Sequence, residues 1–364
     1  MVATNKVLKE VKKILLIRYS AIGDVVLASA IIELLKKRFP ESSLSMLVTP
    51  TTAPIVEKNP FLDRIILYQK NKPFAYLKCA RLLKKERFDL IISLQWKASL
   101  LTFLAGARKR VGFHKSFRYR YFYNLRPKRW YPERHALNRY LNTIEPLGIK
   151  GEIPEPKIYL SREEEETAEK LLEEKFGPIT LSSIPSPRGR GSQGRGDFLV
   201  GFNPVAGYPA KEWPLEYYIR LGKRLIERYN AKIIIFGEGK QRNLNICRKL
   251  QDSLGGNSIS LAGRTNLRQL AALSKACRLF ITGDTGPMHI AVAVGTKVIA
   301  FFGSTDPGKC SPIGKGHITL EDKSLSCLHC YKRRCRRTDC MKNITPEKVW
   351  EEIDENSGFR LREQ

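Results

Sequence analysis

The 364-residue sequence predicts an α/β protein of two Rossmann-like α/β/α halves facing a central cleft, and three observations carry that expectation. Short apolar runs alternate with helix-period segments along both halves, the pattern of parallel strands covered by helices. Two strand–helix junctions, at 18–24 and 282–289, hold small polar turns where doubly wound sheets bind ligands. The length suits two such units, and 42% hydrophobic residues supply a core for each.

Taken in order, residues 13–18 (KILLIR) read as a buried strand, 19–24 as a loop and 25–39 as an amphipathic helix. Further strands are expected at 44–48, 64–68 and 89–94, with a helix at 75–88. An acidic helix at 161–176 is assigned to the interdomain connection. The stretch 182–196 (SSIPSPRGRGSQGRG) has the composition of a solvated surface insertion. In the second half, strands at 198–203, 232–236, 258–262, 278–282 and 297–302 alternate with helices at 214–229, 240–254, 267–276 and 287–294. Thr345 is placed as the N-cap of a closing helix with Pro346 at its first position. The expected organisation is an N-terminal domain over 1–160, a connection over 161–196, a C-terminal domain over 197–344 and a final helix over 345–364.

Lys and Arg number 64 against 36 Asp and Glu, a net charge of +28. So one-sided an excess implies an anionic partner: nucleic acid, an acidic membrane face or a phosphorylated substrate. No apolar run approaches the ~20 residues that span a bilayer. The first twelve residues are polar and lysine-rich with no secretory h-region, so a cytoplasmic protein is expected.

Three segments carry chemistry. In Arg18-Tyr-Ser-Ala-Ile-Gly-Asp24, Gly23 permits an unusual backbone angle and Asp24 offers a carboxylate beyond the first strand. Asp24 also reads as the N-cap of the helix that follows. In 203–214 (NPVAGYPAKEWP), Gly207 allows close backbone approach and Lys211 sets a cation near a helix start, which suits a diphosphate; a solvated loop lysine is the plainer alternative. In 280–289 (FITGDTGPMH), Asp284, Thr285 and Gly286 form a polar turn into a helix whose N-terminus favours anions, and His289 adds a donor one turn in.

Between 105 and 140, eleven Lys/Arg face one acid, Glu133, with aromatics interleaved. Such a surface suits single-stranded nucleic acid, or an anionic membrane carrying a phosphorylated lipid oligosaccharide. The cluster Cys327-x2-Cys330-x4-Cys335-x4-Cys340 is compatible with a structural Zn²⁺ site, with two disulfides or with free thiols. Cys79, Cys247 and Cys277 read as buried fillers on helices and Cys310 as a loop thiol.

The segments SAIGDVVLASAII, FDLIISLQ, RVGF, ERHALNRYL, GYPAKEWP, LAGRTNLRQLAALSKACRLFITGDTGPMHIA and FFGSTDP, in this order, resemble the family 9 glycosyltransferases, the lipopolysaccharide heptosyltransferases and their relatives. The resemblance spans nearly the whole chain apart from the 182–196 insertion. It implies a GT-B fold and an inverting transfer, with ADP-heptose as the favoured donor and the lipopolysaccharide inner core as acceptor. It also implies chemistry that requires no metal cofactor. Asp24 falls on the family's catalytic base and Lys211 on its diphosphate-binding lysine. Asp284, Thr285, Gly286 and His289 fall on the turn that holds the donor, with Gly207 in the donor loop and Thr265 near the nucleotide base.

The first half holds the acceptor in that family. Arg18, Arg118, Arg120 and Arg126 are therefore acceptor-binding candidates, and a peripheral seat on the anionic inner face of the cytoplasmic membrane is expected. His135, Arg139 and Tyr140 are open to a merely structural reading. The chain departs from many relatives at Ser93, where they carry Asp, and at Ala206-Gly207, where some carry hydroxyl residues. Two other readings are a GT-B enzyme acting on a nucleotide sugar itself, such as an epimerase, and a nucleic-acid-binding protein. The two phosphate turns argue against the latter.

Overall fold

A computed structural model describes residues 11–112, 121–127, 135–152, 154–178 and 198–355. The insertion at 182–196 and residues 113–120 and 128–134 of the basic–aromatic stretch lie outside the described residues. The chain divides into two compact units, Met1–Tyr159 and Leu160–Gln364.

The first unit runs β1 (Lys13–Ile17), α1 (Ile22–Arg38), β2 (Ser43–Val48), β3 (Arg64–Leu67), α2 (Ala75–Glu86), β4 (Leu90–Ser93), α3 (Ser99–Leu104), β5 (Lys109–Gly112) and α4 (Ala136–Ile144). All five strands are parallel, in the order β3-β2-β1-β4-β5. Ile14 to Ile17 are fully buried, as a central parallel strand covered on both faces requires. Carboxylates tie the amide ends of the sheet: Asp89 accepts from the Lys12 and Lys13 amides at 3.0 and 2.9 Å, and Asp63 from the Leu44 amide at 2.7 Å.

Contrary to the amphipathic reading, α1 is buried on nearly every side over Val25–Ile32, and its charged residues stand in the first turn, at Asp24, and in the last turns. Packing of α4 against it accounts for the difference. Three elements were not assigned from the sequence: α3 and β5 are short, and α4, whose Leu137, Tyr140 and Ile144 recur at helical spacing, follows a basic and aromatic stretch.

The second unit opens with α5 (Arg162–Phe176). It continues through β6 (Leu199–Asn203), α6 (Leu215–Tyr229), β7 (Lys232–Ile235), α7 (Gln241–Leu254), β8 (Ser258–Ser260), α8 (Leu267–Ala276), β9 (Leu279–Gly283) and α9 (Gly286–Ala293). β10 (Lys297–Phe301), α10 (Pro307–Cys310), β11 (Ile318–Leu320), α11 (Asp339–Lys342) and α12 (Pro346–Glu355) complete it. Its six parallel strands are ordered β11-β10-β9-β6-β7-β8. In both sheets the strand order reverses beside the unit's first strand, at β1/β4 and at β6/β9. Crevices open at such reversals, beyond the carboxyl ends of the strands.

The core that anchors the second unit is aromatic. Trp213 packs on Tyr218 and Phe301 with centroids 4.9 and 4.6 Å apart, and its indole N–H donates to the Ile344 carbonyl at 2.6 Å. α12 closes the core with Trp350 stacked on Tyr229, and Thr345 caps it through Oγ1 to the Lys348 amide at 3.4 Å. The helix assigned to the connection, α5, belongs to this unit, packed along α8. Its Glu164 takes two guanidinium hydrogen bonds from Arg268, at 2.7 and 2.6 Å, while accepting from the Ser161 amide. Those Arg268 bonds are the largest cause that holds the Glu164 carboxyl down at about 2.

A carboxyl depressed in the folded state stabilises it above the unfolded value of 4.5, and that contribution is lost as pH falls through about 2. Arg268→Met is therefore expected to destabilise the second unit by about 2 kcal/mol at neutral pH. In urea denaturation the gap to wild type should close as pH drops from about 4.5 toward 2.

Candidate functional site

At the reversal point of the first sheet, the turn after β1 and the turn after β4 enclose a cavity of about 530 Å³. Arg18, Asp24, Lys70, Gln95, Lys97 and Arg139 contribute its polar groups, and Tyr19, Tyr68, Trp96 and Tyr140 its rings. Asp24 is not the N-cap of α1; that position is Ala21, and Asp24 sits three residues in. Its Oδ2 reaches back to accept the Ala21 amide at 3.2 Å, a backbone donor that a helix start leaves unpaired.

Two side chains complete the hold on this carboxylate. Arg18 pairs with Oδ2 while donating to the Leu94 carbonyl at 2.7 Å, and its guanidinium lies 5.6 Å from the Tyr140 ring centre. The Tyr140 hydroxyl donates to Oδ1 at 3.1 Å. Burial pushes the Tyr140 phenol well above its ordinary range; Arg18 pulls the other way, and the Asp24 charge adds to the rise. The phenol thus stays protonated and is the donor of that bond. Asp24 keeps about a third of its side chain exposed to the cavity, with lone pairs to spare for an incoming hydroxyl. Two buried polar atoms beside it, Arg18 Nε and Gln95 Oε1, make no hydrogen bond, an arrangement that favours a polar occupant.

The second reversal point joins the loop after β6 to the turn after β9. Lys211 Nζ donates to Asp284 Oδ2 at 2.6 Å and to the Asp284 carbonyl at 3.2 Å. Burial resists ionisation of Asp284, but the ammonium of Lys211, helped by His289, carries its carboxyl below the usual range. Asn203 Nδ2 donates to Thr282 Oγ1 and Thr285 Oγ1 at 3.0 and 3.2 Å, fixing the turn that leads into α9. Thr285 is the N-cap residue of α9, Gly286 begins the helix, and His289 is buried within it. Amides at a helix start beside a lysine ammonium have the chemistry that suits a diphosphate-sized anion.

Lys211 is placed by its neighbours. Trp213, two residues on, is sunk in the core, and Glu212 pairs with Arg242 and accepts the Ala206 amide at 3.1 Å. The loop of the four cysteines forms a wall of the same region. His329 and Tyr331 amides donate to the Gly303 and Ser304 carbonyls, and Arg333 lies 4.8 Å over the Tyr208 ring. All eight cysteines are free thiols. Among the described residues no group of three or more His, Cys, Asp or Glu is arranged to hold a metal ion. Of the cysteines read as compatible with a Zn²⁺ site, Cys327, Cys330 and Cys335 have exposed thiols and Cys340 is half-buried. Burial, then the charges of the other three, raise its pKa.

The sequence-derived residues thus gather into two groups, Arg18 with Asp24 and Lys211 with Asp284, Thr285, Gly286 and His289. Thr265 lies in the loop between β8 and α8, with no hydrogen bond to the second group among the described residues. Arg126 donates to the Tyr123 carbonyl at 3.2 Å and does not line the cavity. Arg118 and Arg120 lie outside the described residues. His135 caps α4, Nδ1 accepting the Leu137 amide at 3.2 Å, and Ser93 is buried with Oγ on the Gln95 carbonyl. Arg139 and Tyr140, open to a structural reading, belong to the cavity. Their helix begins 112 residues after Asp24 in sequence, so only pairing of β1 with β4 and of α1 with α4 reveals them.

A family model described as Glycosyltransferase family 9 (heptosyltransferase) matches residues 76–341. Lipooligosaccharide heptosyltransferase 2 of Campylobacter jejuni is 28% identical over 340 residues, covering 91% of this chain and 95% of its own. Among solved structures, a glycosyl transferase family 9 protein from Veillonella parvula superposes with a TM-score of 0.78 at 24% identity, covering 94% of this chain and 96% of that one. Escherichia coli ADP-heptose lps heptosyltransferase II gives 0.72 at 21% identity, covering 94% and 97%. The two-sheet architecture is thus the GT-B fold.

Gly283 shows how tightly the second site is drawn together. A Cβ there would meet the Lys211 carbonyl at 2.4 Å, whereas one at Gly207 would meet nothing within 4 Å. Gly283→Ala is expected to destabilise the second unit by about 1–3 kcal/mol through backbone displacement, and Gly207→Ala to leave thermal stability within about 0.5 kcal/mol of wild type.

Proposed function

The chain belongs to glycosyltransferase family 9, and from that premise we propose that it transfers heptose from ADP-heptose to the inner core of lipopolysaccharide with inversion. The observation that carries the reading is the division of labour between the two strand-order reversals. One presents a carboxylate, held in place but still open, on a cavity lined by cations. The other presents an ammonium and a helix start suited to a diphosphate. The Campylobacter jejuni and Escherichia coli proteins, whose names state heptosyl transfer, match over nearly their full lengths.

In this mechanism an acceptor hydroxyl in the first cavity attacks the anomeric carbon of the donor. Asp24 takes its proton, and the bond from that carbon to the diphosphate oxygen breaks on the opposite face. Arg18, Tyr140 and the Ala21 amide orient the carboxylate. Lys211 and the first amides of α9 meet the charge that develops on the leaving ADP, the role a divalent ion fills in other transferases. Asp284 fixes Lys211 in place through its carboxylate and its carbonyl. Lys70, Lys97 and Arg139 suit the acidic sugars and phosphates of an inner-core acceptor.

The same reading places the enzyme in the cytoplasm, peripherally on the anionic inner face of the membrane; among the described residues no helix is long and apolar enough to cross one. A structural Zn²⁺ on the four clustered cysteines would require the exposed thiols to turn toward Cys340. Elemental analysis decides that point, with one zinc per chain supporting the site and none removing it.

A mass-spectrometric assay offering ADP-heptose and other nucleotide sugars with inner-core lipid acceptors tests the proposal. Wild type should add the mass of one heptose, and Asp24→Asn should lower the rate by about 10²–10⁴ with folding intact. Near wild-type turnover in Asp24→Asn would remove the base assignment.

A further inference from the structure

The apolar surface of this protein is concentrated. Of ten large hydrophobic side chains standing open to solvent among the described residues, eight lie between Leu67 and Tyr121 in the first unit. α2 and α3 pack side by side, burying Leu83 and Leu101 in one core with β1 and β4. Their outward turns carry leucine and phenylalanine where solvent-facing helices carry polar residues: Leu77 is 50% exposed, Leu100 46% and Phe103 47%, and Phe74 at the start of α2 is 74% exposed.

The charge around these side chains has one sign. Residues 70–110 contain eleven Lys/Arg and two acids, Glu86 and Asp89. Glu86 is paired with Arg64 at 2.8 Å and Asp89 is taken up by backbone amides, so neither offsets the cations of α2. The cavity of Asp24 adjoins this face, because Lys70 lies just ahead of α2, and Trp96 and Lys97 just ahead of α3.

A second copy of the chain would set one strongly basic face against another. A purely hydrophilic polyanion would leave the leucines and phenylalanines in water. An anionic bilayer meets both features, with headgroup phosphates for the cations and the acyl boundary for the apolar side chains. We propose that the α2–α3 face is the surface by which this enzyme docks on an anionic lipid bilayer. Phe74, Leu77, Leu100 and Phe103 enter the headgroup boundary, and Lys78 and Arg81 lie over the phosphates. Docking presents a lipid-anchored acceptor to the adjoining cavity. That last step rests on the heptosyltransferase reading; the docking itself does not.

Flotation of the full chain with vesicles of phosphatidylcholine alone, or of phosphatidylcholine with phosphatidylglycerol, tests the surface. Two variants serve, Leu77→Gln/Leu100→Gln/Phe103→Gln and Lys78→Glu/Arg81→Glu, with circular dichroism and ADP binding reporting intact folding. Wild type should float only with anionic vesicles, and each variant should lose at least about tenfold in partitioning. Turnover of a delipidated acceptor should be unchanged in both variants, while turnover of the vesicle-bound acceptor falls. Wild-type partitioning in both variants would overturn the proposal. So would wild type remaining free of anionic vesicles, a wild-type dimer that the apolar variant dissociates, or an oligonucleotide affinity lost in place of vesicle binding. Absence of sugar transfer from any donor, with vesicle binding behaving as expected, would instead overturn the heptosyltransferase reading and leave the docking surface standing.

Discussion

Parallel strands buried on both faces leave a sheet few places for polar chemistry. Apart from Lys13 and Thr282, β1 and β9 are apolar and buried, and helices cover them on each side. Reactive groups must therefore sit in turns beyond the carboxyl ends, and those turns separate only where neighbouring crossovers run to opposite sides. In each unit this happens once, next to the first strand. Asp24, Gln95 and Lys97 gather at one such point, and Lys211, Asp284 and Thr285 at the other. The rest of the structure holds these turns in place: the Trp213 anchor in the core, the Asn203 bridge to Thr282 and Thr285, and α4 bringing Tyr140 onto Asp24.

The two sites use electrostatics in opposite ways. At Asp24 a carboxylate is oriented by one cation, one phenol and one backbone amide while remaining partly open to the cavity. At Lys211 the ammonium is nearly enclosed and its charge is balanced by a more deeply buried Asp284. An isolated buried charge would cost several kcal/mol. The pair avoids that cost. Close approach of Gly283 to the Lys211 carbonyl makes this geometry depend on one missing Cβ.

Much of the fold was legible because parallel sheets write themselves as apolar runs. KILLI, LIIS, LVGFN, KIII and LFITG were each recognisable within a residue or two. β11 was not, since three residues of strand carry no period, and α4 was passed over although Leu137, Tyr140 and Ile144 recur at helical spacing. Lys211 and Asp284 were legible through local turn chemistry, and their mutual contact is the finding the structure adds. Tyr140 and Arg139 were not legible as site residues, because a tyrosine on a helix says nothing of which carboxylate it meets. Asp24 was placed one step wrong as a cap: Ala21 offers no side-chain oxygen, and the carboxylate three residues on serves its amide instead.

We propose that the second unit holds a nucleotide diphosphate through Lys211 independently of the carboxylate in the first. Isothermal titration of ADP against wild type, Lys211→Met and Asp24→Asn tests this most directly. The account predicts that Lys211→Met weakens ADP binding by tenfold or more, about 1.4 kcal/mol or greater, while Asp24→Asn binds as wild type does. Unchanged affinity in Lys211→Met, or affinity lost in Asp24→Asn alone, would contradict it.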